Sequence, residues 1–496
     1  MEPNPSSAYD RRTRMRSTIA LVLCALLAAC KSASPAQPER GKPGTEFGDL
    51  FTGRTLRVDC QHVGNAETEH FALTGLRLEG PWPGSRTQLV DTLELGKYRF
   101  EVVEPSTQRV LFARGFCSIF GEWETTGEAK RQWGSFEESQ RFPEPRAPVE
   151  LVWRERLDDG SWVERHRAPI DPAGRFVDRA PLDTDAEVIG LIEHGHPSTK
   201  VDLLIVADAY PFTARAKFIA DARRLVDALF DTQPFRRKRA DFNVRLLYRP
   251  AAEAGLSNPR KDVWRSSRYG LSFNSFDVDR YVLALRDRAL REDCAQAPYD
   301  ALILLCNERK YGGGGIYNLW ATVTADSEAA PYLFVHEFGH SFAGLADEYY
   351  SSAIAYEELT PPGSEPWEPN VTALLDPAQL KWRDLVAEGT PLPTPWDQAA
   401  YDAADLEYQA RRKALLDAQA GEEQNEALMR EVKQSSGAFL RAQPYYGKTG
   451  AFEGGAYMAK GLYRPSVDCI MFTRNPTWFC KVCERAVTQT IERFAK

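Results

Sequence analysis

Leu333-Phe334-Val335-His336-Glu337-Phe338-Gly339-His340 is an apolar stretch of helical character carrying two histidines and one acid. Residues four apart on a helix lie one turn apart on the same face, so both imidazoles can reach a single cation. Zinc favours nitrogen ligands in a tetrahedral shell, and a catalytic zinc keeps one position open for water. Glu337 stands beside the first histidine, where it can take a proton from that water. The spacing points to one zinc ion held by His336 and His340, with Glu337 as general base.

Downstream, no further histidine follows His340 among the seven in the chain. Gly344 can adopt a positive φ, end the helix and turn the chain back towards the metal. Asp347 and Glu348 follow that bend, and either acid can complete the ligand set. Upstream, the four glycines Gly312 to Gly315 form a loop ahead of a predicted strand, Ile316 to Thr324. Val201 to Val206 (VDLLIV), Phe242 to Tyr248 and Ala301 to Cys306 read as buried strands. Thr213 can cap a helix whose Phe218, Ala222, Leu225 and Leu229 recur at helical spacing. Alternating strands and helices predict an α/β domain with a mixed sheet over residues 193–496. Within it, prolines 361, 362, 366, 369, 391, 393 and 395 and an Ala/Leu/Glu-rich run from Ala400 to Lys433 predict a loop and helical insertion over 351–450.

The first 192 residues have a different character. Tyr98, Phe100 and Val102 alternate with charged neighbours, and Asp158-Asp159-Gly160 marks a hairpin turn before Trp162. Period two without long helical patterns predicts an all-β sandwich over 47–192. The expected fold class is therefore α+β and multi-domain. Ahead of the sandwich, Arg11, Arg12, Arg14 and Arg16 precede the apolar run Ile19 to Ala29, as in a signal peptide. Leu27-Ala28-Ala29-Cys30 resembles a bacterial lipobox, which implies cleavage after residue 29 and a lipid on Cys30. Lys31 in place of Asp favours the outer membrane under that resemblance. Residues 30–46 then form a flexible tether. The expected location is exported, either lipid-anchored in the cell envelope or secreted.

Export permits disulfides. Seven cysteines follow Cys30; Cys60–Cys117 and Cys294–Cys306 are the expected pairs, with Cys469 joined to Cys480 or Cys483. Cys480-Lys481-Val482-Cys483 could suggest a metal knuckle, but a four-cysteine site needs a second such pair. The net charge of -8 is spread along the chain, with no basic patch for nucleic acid. No internal run has the roughly 18 apolar residues of a membrane span. Membrane contact is expected only through the anchor, and the chain is expected to be a monomer.

His336 to Tyr350 (HEFGHSFAGLADEYY) resembles the zinc segment of the bacterial IgA-peptidase family, within the broader metzincin group. Lys200 to Tyr210 (KVDLLIVADAY), Glu368 to Thr372 and Ala459 to Met471 (AKGLYRPSVDCIM) add weaker matches. The resemblance covers most of residues 195–496 and, more loosely, the β region before it. It implies a zinc endopeptidase acting on a protein or peptide. It also favours Asp347, three residues after the glycine, as third ligand, with Glu348 as the alternative. An extra residue before Gly344 departs from the extended metzincin spacing. The resemblance further implies a methionine turn beneath the metal, with Met471 the candidate, and Tyr463 nearby could steady an oxyanion. A peptide would lie against the edge strand before the zinc helix, with Asn318 and Trp320 lining the cleft. The rival is a surface lipoprotein that binds a glycan or protein and carries a silent zinc site; an intact Glu337 counts against it.

Overall fold

The period-two region folds as strands interrupted by two short helices. A single turn, α1 (Phe47–Leu50), leads into β1 (Phe51–Gly64), β2 (Glu69–Pro81), β3 (Tyr98–Val103) and β4 (Val110–Phe116). Then come α2 (Ile119–Trp123), β5 (Gly134–Pro145), β6 (Val149–Arg156), β7 (Trp162–Ile170) and β8 (Val177–Asp178). They build two four-stranded sheets, ordered β5-β1-β2-β8 and β4-β3-β6-β7. Leu56 and Val58 of one sheet meet Phe100, Phe112 and Trp153 of the other in a shared apolar core. The computed structural model describes residues 46–182, 185–351, 360–361 and 363–495. The signal segment 1–29, Cys30 and the tether to Thr45 lie outside the described residues. No helix among the described residues is long and apolar enough to cross a membrane.

A buried imidazole between two acids marks the first sheet. His62 on β1 lies between two carboxylates, Nδ1 2.7 Å from Glu138 and Nε2 2.8 Å from Glu69, and its ring stacks on Phe71 and Phe120. Burial opposes the imidazolium, but Glu138 and Glu69 more than offset it and raise the pKa to about 9. A folded-state pKa above the unfolded value of about 6.5 stabilises fully below pH 6.5 and loses that contribution as pH rises through 9. The loss should be of order 3 kcal/mol. Thermal unfolding followed from pH 6 to 10 should show this fall in the wild type and a flatter profile in His62→Gln; parallel profiles would refute it.

The second half supplies β9 (Glu187–Ile192), β10 (Val201–Asp208), α3 (Arg215–Asp231), β11 (Phe242–Tyr248), β12 (Leu271–Ser272) and β13 (Leu283–Ala284). After these come α4 (Asp287–Cys294), β14 (Ala301–Cys306), β15 (Gly313–Ile316), β16 (Trp320–Thr324) and α5 (Ala330–Ala343). The main sheet has the order β15-β16-β14-β10-β11-β9. Its middle strands β16, β14, β10 and β11 run parallel, and the outer strands β15 and β9 are antiparallel to their neighbours. Every residue of β10 is buried, as expected of a strand covered on both faces.

Three sequence expectations are corrected here. Strand β9 lies within the stretch assigned to the N-terminal sandwich, yet it pairs with β11 of the second sheet. The predicted strand Ile316 to Thr324 is broken by a tight turn: Ile316 closes β15, Asn318 sits at φ 54°, and Trp320 opens β16 opposite Ile316. Thr213 lies in a 3-10 turn, and Ala214 occupies the cap position of α3.

The insertion contains a helical pair, α6 (Gln398–Asp417) and α7 (Glu422–Arg441), followed by β17 (Phe452–Gly455), β18 (Met458–Arg464) and the terminal α8 (Lys481–Phe494). The two halves are in direct contact. Asn318 donates to the Gly115 carbonyl, and Arg493 on α8 reaches the carbonyls of Val90 and Gln88.

Candidate metal centre

Helix α5 carries His336, Glu337 and His340 and is apolar almost all round. Leu333, Phe334, Phe338 and Phe342 sink into the core that α5 shares with α3, α8 and the main sheet. Each fully buried side chain of this size contributes roughly 1.5–3 kcal/mol, so the helix is a rigid mount. It ends at Gly344, whose φ of 62° lies in the left-handed region. The Gly344 and Leu345 N–H groups donate back to the His340 and Gly339 carbonyls, closing the helix with a left-handed αL-type end. That reversal brings Asp347 back to the histidines.

His336 Nε2 and His340 Nε2 are 3.1 Å apart, and Asp347 Oδ1 lies 3.0 and 3.2 Å from them. Each Nδ1 is already engaged. His336 Nδ1 is 3.0 Å from the Ile470 carbonyl and 3.0 Å from the Tyr332 hydroxyl; His340 Nδ1 is 2.5 Å from the Leu345 carbonyl. A carbonyl only accepts, so the neutral ring carries its proton on Nδ1 and turns an Nε2 lone pair inward. Two nitrogen lone pairs and one carboxylate oxygen then converge on a point, and Oδ1 is buried without a hydrogen-bond partner. Ligands of a tetrahedral zinc at about 2.0–2.1 Å stand roughly 3.3 Å apart. The three residues could hold such an ion.

The same closeness favours opposite charges on Asp347 and His340, an ion pair whose imidazole proton a bound metal displaces. Burial works against charge on His340, but Asp347 beside it lifts its pKa to about 9. Burial would likewise raise Asp347, yet His340 and His336 hold its carboxyl well below the usual range. Glu337 is pushed up by burial, with the two imidazoles pulling the other way.

Glu348, the alternative ligand, is turned away from this point: Oε1 accepts from Asn370 at 3.1 Å. Met471 is fully buried, and a Cβ on Gly339 would come within 3.1 Å of its sulfur, so the thioether lies against the helix between the histidines. Tyr463 sits on β18 across from Glu453 and Thr372 and is absent from the cleft wall. Tyr457 from the same hairpin stands there instead, and its hydroxyl donates a short hydrogen bond to Asp347 Oδ2. Ala456 and Tyr457 both have positive φ, 44° and 65°, an unfavourable conformation for non-glycine residues. The turn is pinned by their N–H groups, which donate to the Asp347 and Tyr349 carbonyls. Tyr457→Phe should cut metal affinity about 10- to 100-fold, the usual cost of losing a partner that orients a ligand. Competition with a metal indicator would measure it; unchanged affinity would remove Tyr457 from the centre.

The centre opens into a cleft of about 1070 Å³. Gly313, Gly314 and Gly315 of β15 form one wall, Lys97 and Glu155 come from the N-terminal sheets, and Tyr408 and Arg412 come from α6. Glycine is required at 315: a Cβ would lie 2.5 Å from the Glu337 carbonyl and 2.9 Å from His340 Cβ. Asn318 and Trp320, expected in the cleft, are held elsewhere. Asn318 faces Gly115 and Trp320 is buried in the core on the other side of the sheet. Residues not anticipated include Tyr332, Tyr457 and Arg280, whose guanidinium donates to the Tyr349 hydroxyl.

The expected disulfides are also corrected. All seven cysteines among the described residues are free. Cys60 on β1 is flanked by Leu73 and Glu138, and Cys306 on β14 by Asp208 and Thr324. Cys117 accepts from the Lys97 amide. Cys469, Cys480 and Cys483 gather with Glu348.

Residues 189–491 match the family model described as IgA Peptidase M64, and residues 46–166 match the model described as Peptidase M64 N-terminus. No curated protein matches the chain.

Proposed function

Because this chain belongs to the IgA peptidase M64 family of metallopeptidases, we propose that it is a zinc-dependent endopeptidase with His336, His340 and Asp347 as ligands and Glu337 as general base. The observation that carries this is the buried Asp347 Oδ1, which has no hydrogen-bond partner and faces two imidazole nitrogens whose opposite nitrogens are already engaged. When bound, zinc polarises the scissile carbonyl and brings the pKa of its water down to roughly 7. Glu337 takes the water proton as oxygen attacks the carbonyl carbon, then delivers that proton to the leaving amine. Strand β15 offers main-chain groups to an extended substrate. Tyr281 bridges Gly313 in parallel, so the free edge begins after that residue.

A metzincin-like arrangement is part of the proposal. It is supported by the Gly344 reversal, the antiparallel edge strand β15 and Met471 beneath the helix. Export and lipid attachment at Cys30 rest on Leu27-Ala28-Ala29-Cys30 and the arginines before it. The substrate is a protein or peptide; the family name does not carry immunoglobulin A to this chain. Cleavage of a denatured protein substrate should fall to background with a chelator and return with added zinc. Undiminished cleavage in chelator, with metal loss verified, would overturn the proposal.

A further inference from the structure

Behind the histidine centre lies a second group of ligating side chains. Glu348, Cys469, Cys480 and Cys483 are all buried, and one ligand atom from each lies within 4.8 Å of the others. Cys483 Sγ is 3.6 Å from Cys480 Sγ, 3.9 Å from Cys469 Sγ and 3.3 Å from Glu348 Oε1. Around a tetrahedral zinc, with Zn–S about 2.3 Å and Zn–O about 2.0 Å, ligand atoms stand roughly 3.8 Å (S···S) and 3.5 Å (S···O) apart. The cluster is spaced like ligands of one ion.

We infer that these four residues bind a second divalent metal ion, zinc in preference to harder cations because three ligands are soft thiolates. A disulfide would use two of the three sulfurs and leave one thiol and a carboxylate buried together. Glu348 Oε2 is buried with no hydrogen-bond partner, a costly state that a cation relieves. The Cys480 amide donates to Cys469 Sγ at 3.3 Å, the kind of outer contact that steadies a metal-bound sulfur. Each thiol gives up its proton to the solvent on binding. Four protein ligands close the coordination shell, so the ion is structural.

Its place explains what it does. Glu348 follows Asp347, and its N–H donates to the Met471 carbonyl. Cys469 precedes Ile470, whose carbonyl engages His336 Nδ1. Cys480 occupies the N-cap position of α8 and Cys483 lies in its first turn. The ion therefore ties the bend after α5, the Met471 loop and the start of α8 into one floor beneath the first centre.

Metal analysis of the full chain, purified under reducing conditions, should find about two zinc ions per chain, one in each four-ligand shell. With cobalt(II) replacing zinc, the wild type should show the intense near-ultraviolet thiolate-to-cobalt absorption, which a histidine–carboxylate centre cannot give. A His336→Ala/His340→Ala variant should keep that absorption and lose about one ion. A Cys480→Ser/Cys483→Ser variant should lose the absorption. The wild-type spectrum decides even if the cysteine variant fails to fold. Absence of the thiolate band, or an intact mass two hydrogens below the reduced chain, would overturn the second site and leave the first untouched. A band with only one ion, retained in the histidine variant, would instead count against the catalytic centre.

Discussion

Glu337→Gln should lower kcat by about 10³- to 10⁴-fold while zinc content and thermal stability stay at wild-type values. A positioned proton carrier contributes typically 10²–10⁴-fold, and Glu337 is asked to act twice, on the water and on the leaving amine. At 1.36 kcal/mol per decade this is roughly 4–5.5 kcal/mol of transition-state stabilisation. Glutamine has the same shape, so it should fit where the Glu337 side chain now packs against Gly313 and Gly315. Its amide cannot accept the proton. The loss should fall on kcat, because Glu337 is not among the side chains that converge on the metal position. Steady-state kinetics on a defined peptide, beside metal analysis of the same preparation, measures both quantities. A variant with full zinc and more than about a tenth of the activity would exclude Glu337 as the proton carrier.

The parts of the chain legible from sequence are those where one local rule decides. Ala301 to Cys306 becomes a strand with the expected bounds, because a strand buried on both faces needs a short continuous apolar run, and Phe242 to Tyr248 does so as well although Asn243 and Arg245 interrupt it. His336 and His340 meet because a helical turn fixes their separation. Gly344 reverses the chain as its freedom of φ allows. Strand β15 was hidden because three of its four residues are glycine, which carries no strand preference. Its extended form comes from pairing with β16, and its glycines are set by the approach of α5. Tyr457 was hidden because it lies 110 residues from Asp347 and is aimed by a strained turn. The cysteine cluster was hidden for a similar reason. Its fourth member is an acid 135 residues before Cys483, so a search for a second cysteine pair dismisses it.

Asp347→Ala should abolish detectable activity by loss of metal, whereas Glu348→Gln should leave the histidine centre loaded. The two acids are neighbours in sequence, but the backbone sends them to opposite sides. Asp347 Oδ1 lies 3.0 and 3.2 Å from the imidazole nitrogens, and Glu348 Oε1 lies 3.3 Å from Cys483. Loss of a partner that only orients a ligand costs 10- to 100-fold in metal affinity; loss of the ligand itself should cost at least about 100-fold. Stability supplies an independent measure. A metal present at 100 times its Kd stabilises the folded chain by about 2.7 kcal/mol, and after a hundredfold weakening the same concentration gives about 0.4 kcal/mol. The zinc-dependent shift in Tm should therefore nearly vanish in Asp347→Ala when the cysteine cluster is kept loaded. Removing the carboxylate also deprives the Tyr457 hydroxyl of its acceptor, so comparison with the Asp347→Ala/Tyr457→Phe double variant separates ligand loss from that secondary cost. Wild-type zinc affinity at the histidine centre of Asp347→Ala would show that the converging oxygen is not a ligand.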